Sequence, residues 1–169
     1  MNDEDAAHTT PVSGNMRSLL NEAAAYDLSE SVQRSYQQST GQQTLQRILV
    51  VEDDPTLATL EADILTAHGY TVVTVESGEL AITALRHSTP DLVVLDLELT
   101  GNVNGLEVLE VLRTFAPIPV LITSSSVAAV RTYMRTSGET RLTLDHLAKP
   151  YPMQMLLKRV KRMLPIAPE

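Results

Sequence analysis

Blocks of hydrophobic and polar residues alternate along the chain, and their spacing predicts five strand–helix pairs. The first and third strand blocks are runs of consecutive apolar residues, which are typical of strands buried on both faces of a parallel sheet. The second block is β-branched, and the fifth is weaker and more polar. The helix blocks repeat apolar residues three and four positions apart. The predicted strands are 48–51, 71–75, 91–96, 120–123 and 143–148, and the predicted helices cover 55–67, 77–85, 105–112, 127–134 and 155–164.

Capping signals mark the ends of the helices. Asp54 precedes Pro55, and this pair is typical of an N-cap followed by the first helical residue. Gly69 suits the position just past the end of the first helix, and Ser77 suits the N-cap of the second. The apolar spacing predicts the buried face of the first helix, formed by Leu57, Leu60 and Ile64.

Strands that alternate with helices indicate an α/β fold. Parallel strands need crossover connections, and these crossovers are right-handed. We therefore predict a doubly wound five-stranded parallel sheet flanked by five helices, a three-layer sandwich, over residues 47–164. We expect residues 1–46 to form a mostly flexible N-terminal extension and residues 165–169 to form a tail. A possible amphipathic helix at 16–32 either lies loosely against the domain or serves in docking or dimerisation.

Composition excludes several classes of protein. The chain has no cysteine, so disulfides and thiolate metal sites are excluded and a cytoplasmic location is expected. No apolar run is long enough to span a membrane. A formal charge of −8 and 4% aromatic residues argue against direct DNA binding. We therefore expect protein partners only.

Polar residues stand at the carboxyl ends of four predicted strands. These ends meet at one edge of a parallel sheet, where Asp53, Asp54 and Asp96 would converge with Thr123 and Lys149. Three converging carboxylates repel one another unless cations compensate them. Mg²⁺ prefers oxygen ligands, and a lysine ammonium adds a mobile point charge. The sequence therefore predicts a magnesium site.

A carboxylate that faces Mg²⁺ and a lysine is equipped to attack phosphorus. Phosphoryl transfer asks the protein mainly for positioning and for neutralisation of charge. Asp96 is the expected nucleophile because it stands alone on the central strand, opposite the acidic pair. The Thr123 hydroxyl can donate a hydrogen bond to a phosphoryl oxygen.

Four segments resemble, in order and in kind, the signature segments of the response-regulator receiver domain, which has a flavodoxin-like fold. They are Arg47–Pro55, Val93–Asp96, Val120–Thr123 and Ala148–Tyr151. The resemblance implies that Asp53 and Asp54 form the acidic pair of the Mg²⁺ site. It implies that Asp96 is the phosphoacceptor, Thr123 the switch hydroxyl and Lys149 the invariant lysine. It further implies a cis Lys149–Pro150 bond. We expect a receiver of the stand-alone type, because the sequence leaves no room for a second folded domain after residue 164.

Two residues depart from the family pattern. His146 lies three positions before the lysine, where the family has a switching aromatic residue, so it is either a pH-sensitive switch or a passive substitute. Glu98 follows Asp96 by two residues, where its backbone carbonyl should ligate Mg²⁺. Its acidic side chain either overhangs the site or points to solvent.

The resemblance implies a two-component response regulator rather than an enzyme. Such a protein takes a phosphoryl group from a phosphohistidine of a sensor kinase or phosphotransfer protein. It then signals to a protein target by conformational change or passes the phosphoryl group on. One alternative is a pseudo-receiver that is never phosphorylated and acts as an interaction module. A second is a phosphatase of the haloacid-dehalogenase type, suggested by Asp96–Thr100 but contradicted by the order of the motifs.

Overall fold

The computed structural model describes residues 45–165, which form a five-stranded parallel sheet with five helices. The sheet order is β2–β1–β3–β4–β5, with every neighbouring pair parallel. This arrangement confirms the predicted fold. The strands are β1 (Arg47–Val51), β2 (Thr71–Val75), β3 (Leu92–Asp96), β4 (Val120–Ser124) and β5 (Leu144–Ala148).

The helices follow the strands one by one. They are α1 (Pro55–Ala67), α2 (Gly78–His87), α3 (Gly105–Phe115), α4 (Val127–Ser137) and α5 (Met153–Met163). Within the part of the chain that the structure describes, no helix is long and apolar enough to cross a membrane. The predicted helix at 16–32 lies outside the described residues.

The caps explain where the helices begin and end. Asp54 caps α1 by accepting hydrogen bonds from the backbone N–H groups of Thr56 and Leu57, and Ser77 caps α2 in the same way. Gly69 follows α1 with a φ of 90°, a left-handed conformation that favours glycine. These predicted caps are confirmed.

Side chains that alternate along the strands build two hydrophobic layers. One layer packs beneath α2, α3 and α4, with Leu49, Val93 and Ile122 from the sheet. The other packs beneath α1 and α5, with Val50, Val94 and Leu121 from the sheet. Helices therefore cover both faces of the sheet, as the predicted three-layer sandwich requires.

Helix α1 does not bury the face that its leucines predict. Leu60 is 49% exposed, whereas Glu61 is fully buried together with Ala58 and Leu65. The buried face of α1 is therefore shifted by one residue from the predicted face. The shift brings the Glu61 carboxylate into the interior, where it accepts a hydrogen bond from the Tyr151 hydroxyl. Helix α5 follows its pattern, with Leu156, Val160 and Met163 buried.

Candidate functional site

The period-two alternation of the strands brings Glu52, Asp96 and Thr123 to the same face of the sheet. Glu52 continues the side-chain row of Ile48 and Val50, which face α1 and α5. Asp96 and Thr123 are register partners on β3 and β4. All three are almost fully buried. The sheet therefore holds two carboxyl groups and a hydroxyl side by side at the edge formed by the C-terminal ends of its strands.

Lys149 joins the two buried carboxylates. Its Nζ lies 2.8 Å from Glu52 Oε2 and 2.9 Å from Asp96 Oδ2. Burial alone would lower the pKa of Lys149, but the hydrogen bonds to Glu52 and Asp96 raise it above its usual value. Burial raises the pKa of Glu52, and the charge of Asp96 adds to that rise. Lys149 therefore stays protonated, and its positive charge partly compensates the negative charges of Glu52 and Asp96.

Asp53 completes an acidic cluster. Carboxylate oxygens of Glu52, Asp53 and Asp96 all lie within 4.8 Å of one another. The hydroxyl of Thr100 donates to Asp53 Oδ2 at 2.6 Å and lowers the pKa of Asp53, so this carboxyl stays ionised. Three such oxygens form the hard, anionic donor set that Mg²⁺ prefers, so the residues fit that ion.

Asp54 does not join this cluster, although the sequence predicts it as a ligand. Its Oδ1 accepts the backbone N–H groups of Thr56 and Leu57, at 2.8 and 3.1 Å, and it lies at the exposed start of α1. The geometry therefore corrects the acidic pair to Glu52 and Asp53. The alternation of Ile48, Val50 and Glu52 was the signal that sequence reasoning missed.

The start of α3 lies directly on the backbone of Asp96. A Cβ atom built on Gly105 would stand 2.6 Å from Leu97 Cα and would also overlap the Asp96 carbonyl group. Asn104 and Glu107 cap this helix with a reciprocal capping box. The absence of a side chain at Gly105 thus permits a close contact between α3 and the strand end that carries Asp96.

Comparison with known proteins identifies the family. The sequence model of the response regulator receiver domain matches residues 48–161. The chain belongs to this family. The predicted resemblance is confirmed, and the protein is a receiver domain of the two-component type over those residues.

Individual relatives agree with this assignment. The chain is 35% identical over 119 residues to the DNA-binding response regulator MtrA of Mycolicibacterium smegmatis, a match that covers 70% of this chain and 50% of the relative. It is 33% identical over 118 residues to the transcriptional regulatory protein BaeR of Escherichia coli, covering 70% and 48%. The chain thus spans about half the length of these relatives. The solved signal receiver domain of a Luxo repressor protein from Vibrio parahaemolyticus superposes with a TM-score of 0.62 at 30% identity, over 71% of this chain and 90% of that one.

The relatives correct one expectation. The charge of −8 led us to expect no direct DNA binding, but receivers of the same family occur in proteins named as DNA-binding response regulators. The argument from net charge against direct DNA binding was therefore wrong. The charge of a receiver domain does not decide whether the protein that carries it contacts DNA, and this chain covers only about half of such relatives.

Glu98 does not point freely to solvent in this receiver domain. Its Oε1 accepts the backbone N–H of Ser125 at 3.0 Å and the Ser124 hydroxyl at 3.4 Å. Burial opposes ionisation, yet the hydrogen bonds from Ser125 and Ser124 and the charge of Lys149 hold the pKa of Glu98 below its usual value. Its backbone N–H donates to Asp96 Oδ1 at 2.9 Å. Glu98 thus links the loop after β3 to the loop after β4. Its role as a carbonyl ligand of a metal stays a prediction.

His146 is half-buried on β5 and lies on the sheet face opposite to Thr123. It pairs in register with Ile122, which belongs to the layer beneath α2, α3 and α4. Its Nε2 is buried without a hydrogen-bond partner among the described residues. Burial lowers the pKa of His146, so the ring stays neutral near pH 7. Its role as a switch stays a prediction.

The predicted cis bond between Lys149 and Pro150 is confirmed.

Proposed function

We propose that this receiver domain accepts a phosphoryl group on Asp96 from a phosphohistidine of a sensor kinase or a phosphotransfer protein, in a reaction that requires Mg²⁺. An Asp96 carboxylate oxygen attacks phosphorus, the P–N bond breaks, and the electron pair stays on the histidine nitrogen. The product is an acyl phosphate, which favours one of two pre-existing conformations and so signals. The receiver activates its own acceptor and is not itself a multiple-turnover enzyme.

The observation that carries the proposal is the placement of Lys149 between Glu52 and Asp96. The ammonium group lies 2.9 Å from the proposed acceptor oxygen, where it neutralises charge on an incoming phosphoryl group. Glu52, Asp53 and Asp96 are the residues that would hold Mg²⁺, which when bound supplies further neutralisation of the phosphoryl oxygens. Thr123 is buried and is the register partner of Asp96, and its hydroxyl is the donor that we propose for one of those oxygens.

The test is reaction with acetyl phosphate and Mg²⁺, followed by mass spectrometry of the intact protein. We expect a gain of one phosphoryl group in the wild type, and none in Asp96→Asn or after removal of Mg²⁺ with a chelator. Asp63→Asn is a matched control, because Asp63 is an exposed acid on α1 outside the cluster. A wild type that is not modified, or a modification that persists in Asp96→Asn, contradicts the proposal. Unaltered partner affinity in Asp96→Asn would favour a pseudo-receiver.

For the output step, the named relatives add DNA to the protein partners that the sequence predicts. We propose that the phosphorylated receiver controls either a protein target, onward transfer to another histidine, or a DNA-bound assembly, in the cytoplasm. Fluorescence anisotropy of labelled duplex DNA, with the full chain and its Asp96→Asn variant, separates these outcomes. A change in anisotropy on addition of acetyl phosphate, seen only with Asp96 present, assigns the output to DNA.

A further inference from the structure

The loop between β3 and α3, residues 97–104, places a threonine against the acidic cluster. Thr100 donates two hydrogen bonds to Asp53, one from its hydroxyl at 2.6 Å and one from its backbone N–H at 2.9 Å. Both hydrogen bonds end on the same carboxylate oxygen, Oδ2. The proposed phosphoryl transfer gives Thr100 no task, yet Thr100 contacts one of the three acids that fit Mg²⁺.

The two hydrogen bonds make the oxygens of Asp53 unequal. A carboxylate oxygen offers two lone-pair sites, so the two donors of Thr100 occupy both sites on Oδ2. Oδ1 is then the oxygen that is available to a cation. A carboxylate held in this way binds a cation through one oxygen, and it can use both oxygens only by giving up a hydrogen bond from Thr100.

Helix α2 fixes the part of the loop that follows Thr100. Glu79 Oε1, in the first turn of α2, accepts a hydrogen bond from the backbone N–H of Asn102 at 3.2 Å. Val103 packs so closely on the same turn that a Cβ atom built on Gly78 would stand 2.4 Å from the Val103 carbonyl oxygen. The loop therefore holds the Thr100 hydroxyl against Asp53 and has little freedom to withdraw it.

Divalent cations differ in how they use a carboxylate. Mg²⁺ is small, requires nearly ideal octahedral geometry and keeps several waters, so it takes single oxygens from one or two carboxylates. Ca²⁺ takes six to eight oxygens in a flexible arrangement and often binds both oxygens of a carboxylate. A site in which Asp53 offers one oxygen therefore suits Mg²⁺ and deprives Ca²⁺ of a ligand.

We propose that Thr100 determines the cation specificity of this site. By holding Asp53 to one available oxygen, Thr100 favours Mg²⁺ over Ca²⁺. The inference rests on the proposed function, because it concerns the metal that the reaction at Asp96 requires. It adds a selection that three carboxylates alone do not make, since both cations prefer oxygen ligands.

The experiment measures the Kd of Mg²⁺ and of Ca²⁺ separately, by isothermal titration calorimetry of the full chain without a phosphoryl donor. Thr100→Val removes the hydroxyl at an exposed position and keeps the backbone N–H. We expect the affinity for Mg²⁺ to fall about tenfold, because a hydrogen bond that orients a ligand is lost. The affinity for Ca²⁺ should not fall, because the freed lone-pair site on Oδ2 offers it a second oxygen. The preference for Mg²⁺ should therefore fall about tenfold or more.

Two further variants serve as controls. Thr100→Ser keeps the hydroxyl, so it should keep the wild-type ratio of the two Kd values. Thr59→Val makes the same chemical change at an exposed threonine of α1, whose hydroxyl donates to the Pro55 carbonyl oxygen rather than to the cluster. Both affinities should be unchanged in Thr59→Val.

The ratio of the two Kd values separates a specificity role from a merely structural one. General damage to the site weakens both cations together and leaves the ratio unchanged. A ratio in Thr100→Val equal to that of the wild type, a changed ratio in Thr100→Ser or Thr59→Val, or a wild type that does not prefer Mg²⁺ overturns the inference. A wild type that binds neither cation instead overturns the metal requirement of the proposed function.

Discussion

Asp53 and Asp54 are chemically identical neighbours, and their surroundings give them different tasks. Asp53 faces the cluster and is held ionised by Thr100, whereas Asp54 closes the first turn of α1. The resemblance to the family implies that both bind the metal, whereas the structure brings only Asp53 together with Glu52 and Asp96. The strand period distinguishes them, because it places Glu52 on the site face with Val50.

A pair of amide substitutions tests this division of tasks. Asp53→Asn removes a charge from the cluster, so we expect Mg²⁺ affinity to fall at least tenfold by isothermal titration calorimetry. Asp54→Asn keeps a good N-cap, so Mg²⁺ affinity should change by no more than about twofold and stability by less than about 0.5 kcal/mol. Equal losses of Mg²⁺ affinity in both variants would mean that Asp54 also binds the metal.

The buried Glu61 gives stability a dependence on pH. Its pKa of about 7 in the folded protein lies above the usual 4.5, so between these values the folded state binds more protons than the unfolded state. Stability contributed by this group is therefore lost as the pH rises from 4.5 through 7. In urea titrations, Glu61→Gln should gain up to about 3 kcal/mol relative to the wild type between pH 5 and pH 8. Parallel stability curves for the two proteins would contradict this.

The burial of Glu61 could not be predicted from the sequence. An acid between apolar residues of an amphipathic helix reads as part of the exposed face, and Leu60 beside it reads as buried. The structure reverses the two because the partner of Glu61, Tyr151, lies 90 residues further along the chain. Local periodicity carries no information on a polar contact of that range.

At the scale of elements, α5 is anchored to the sheet by charge as well as by apolar packing. Asp145 is buried on β5, and both Arg159 and Arg162 form ion pairs with its Oδ2. Half of the basic residues in the run 158–162 therefore neutralise a buried acid, which the spacing of apolar residues along the helix does not reveal.

Removal of both arginines should therefore be costly. Arg159→Ala/Arg162→Ala leaves Asp145 buried and uncompensated, so we expect a loss of about 3 kcal/mol or more in the free energy of unfolding, measured in urea. The matched control is Lys158→Ala/Lys161→Ala, which truncates two exposed cations of the same helix and should stay within about 0.5 kcal/mol. Addition of Asp145→Leu to the arginine variant should recover most of the loss. No recovery would mean that the arginines act through packing.

At the scale of the whole molecule, ligand at the site should stabilise the entire fold. The cluster draws on β3 and on the loops after β1 and β5, so it exists only in the folded chain. Beryllofluoride with Mg²⁺, at 100 times its Kd, should raise the free energy of unfolding by about 2.7 kcal/mol, seen as a higher urea midpoint. Asp96→Asn should show no such rise. An equal rise in that variant would place binding elsewhere.

The architecture followed from the sequence because its signals are local and repeated. Five strands with helices between them leave one topology class, and the caps at Asp54, Gly69 and Ser77 fix where helices begin or end. Asp96, Thr123 and Lys149 were found because strand ends converge. The details that escaped prediction are the face that α1 buries and the contacts of Glu98, which depend on side-chain partners in other elements.

The contact at Gly105 has a mechanical consequence. The first turn of α3 rests on the main chain of Asp96 and Leu97 with no side chain between them, and the capping box stiffens that turn. A tightly packed joint of this kind has no compressible layer to absorb a displacement. If Asp96 is esterified as we propose, a shift of the strand tip should therefore push α3 as a rigid body and move its far end at Phe115.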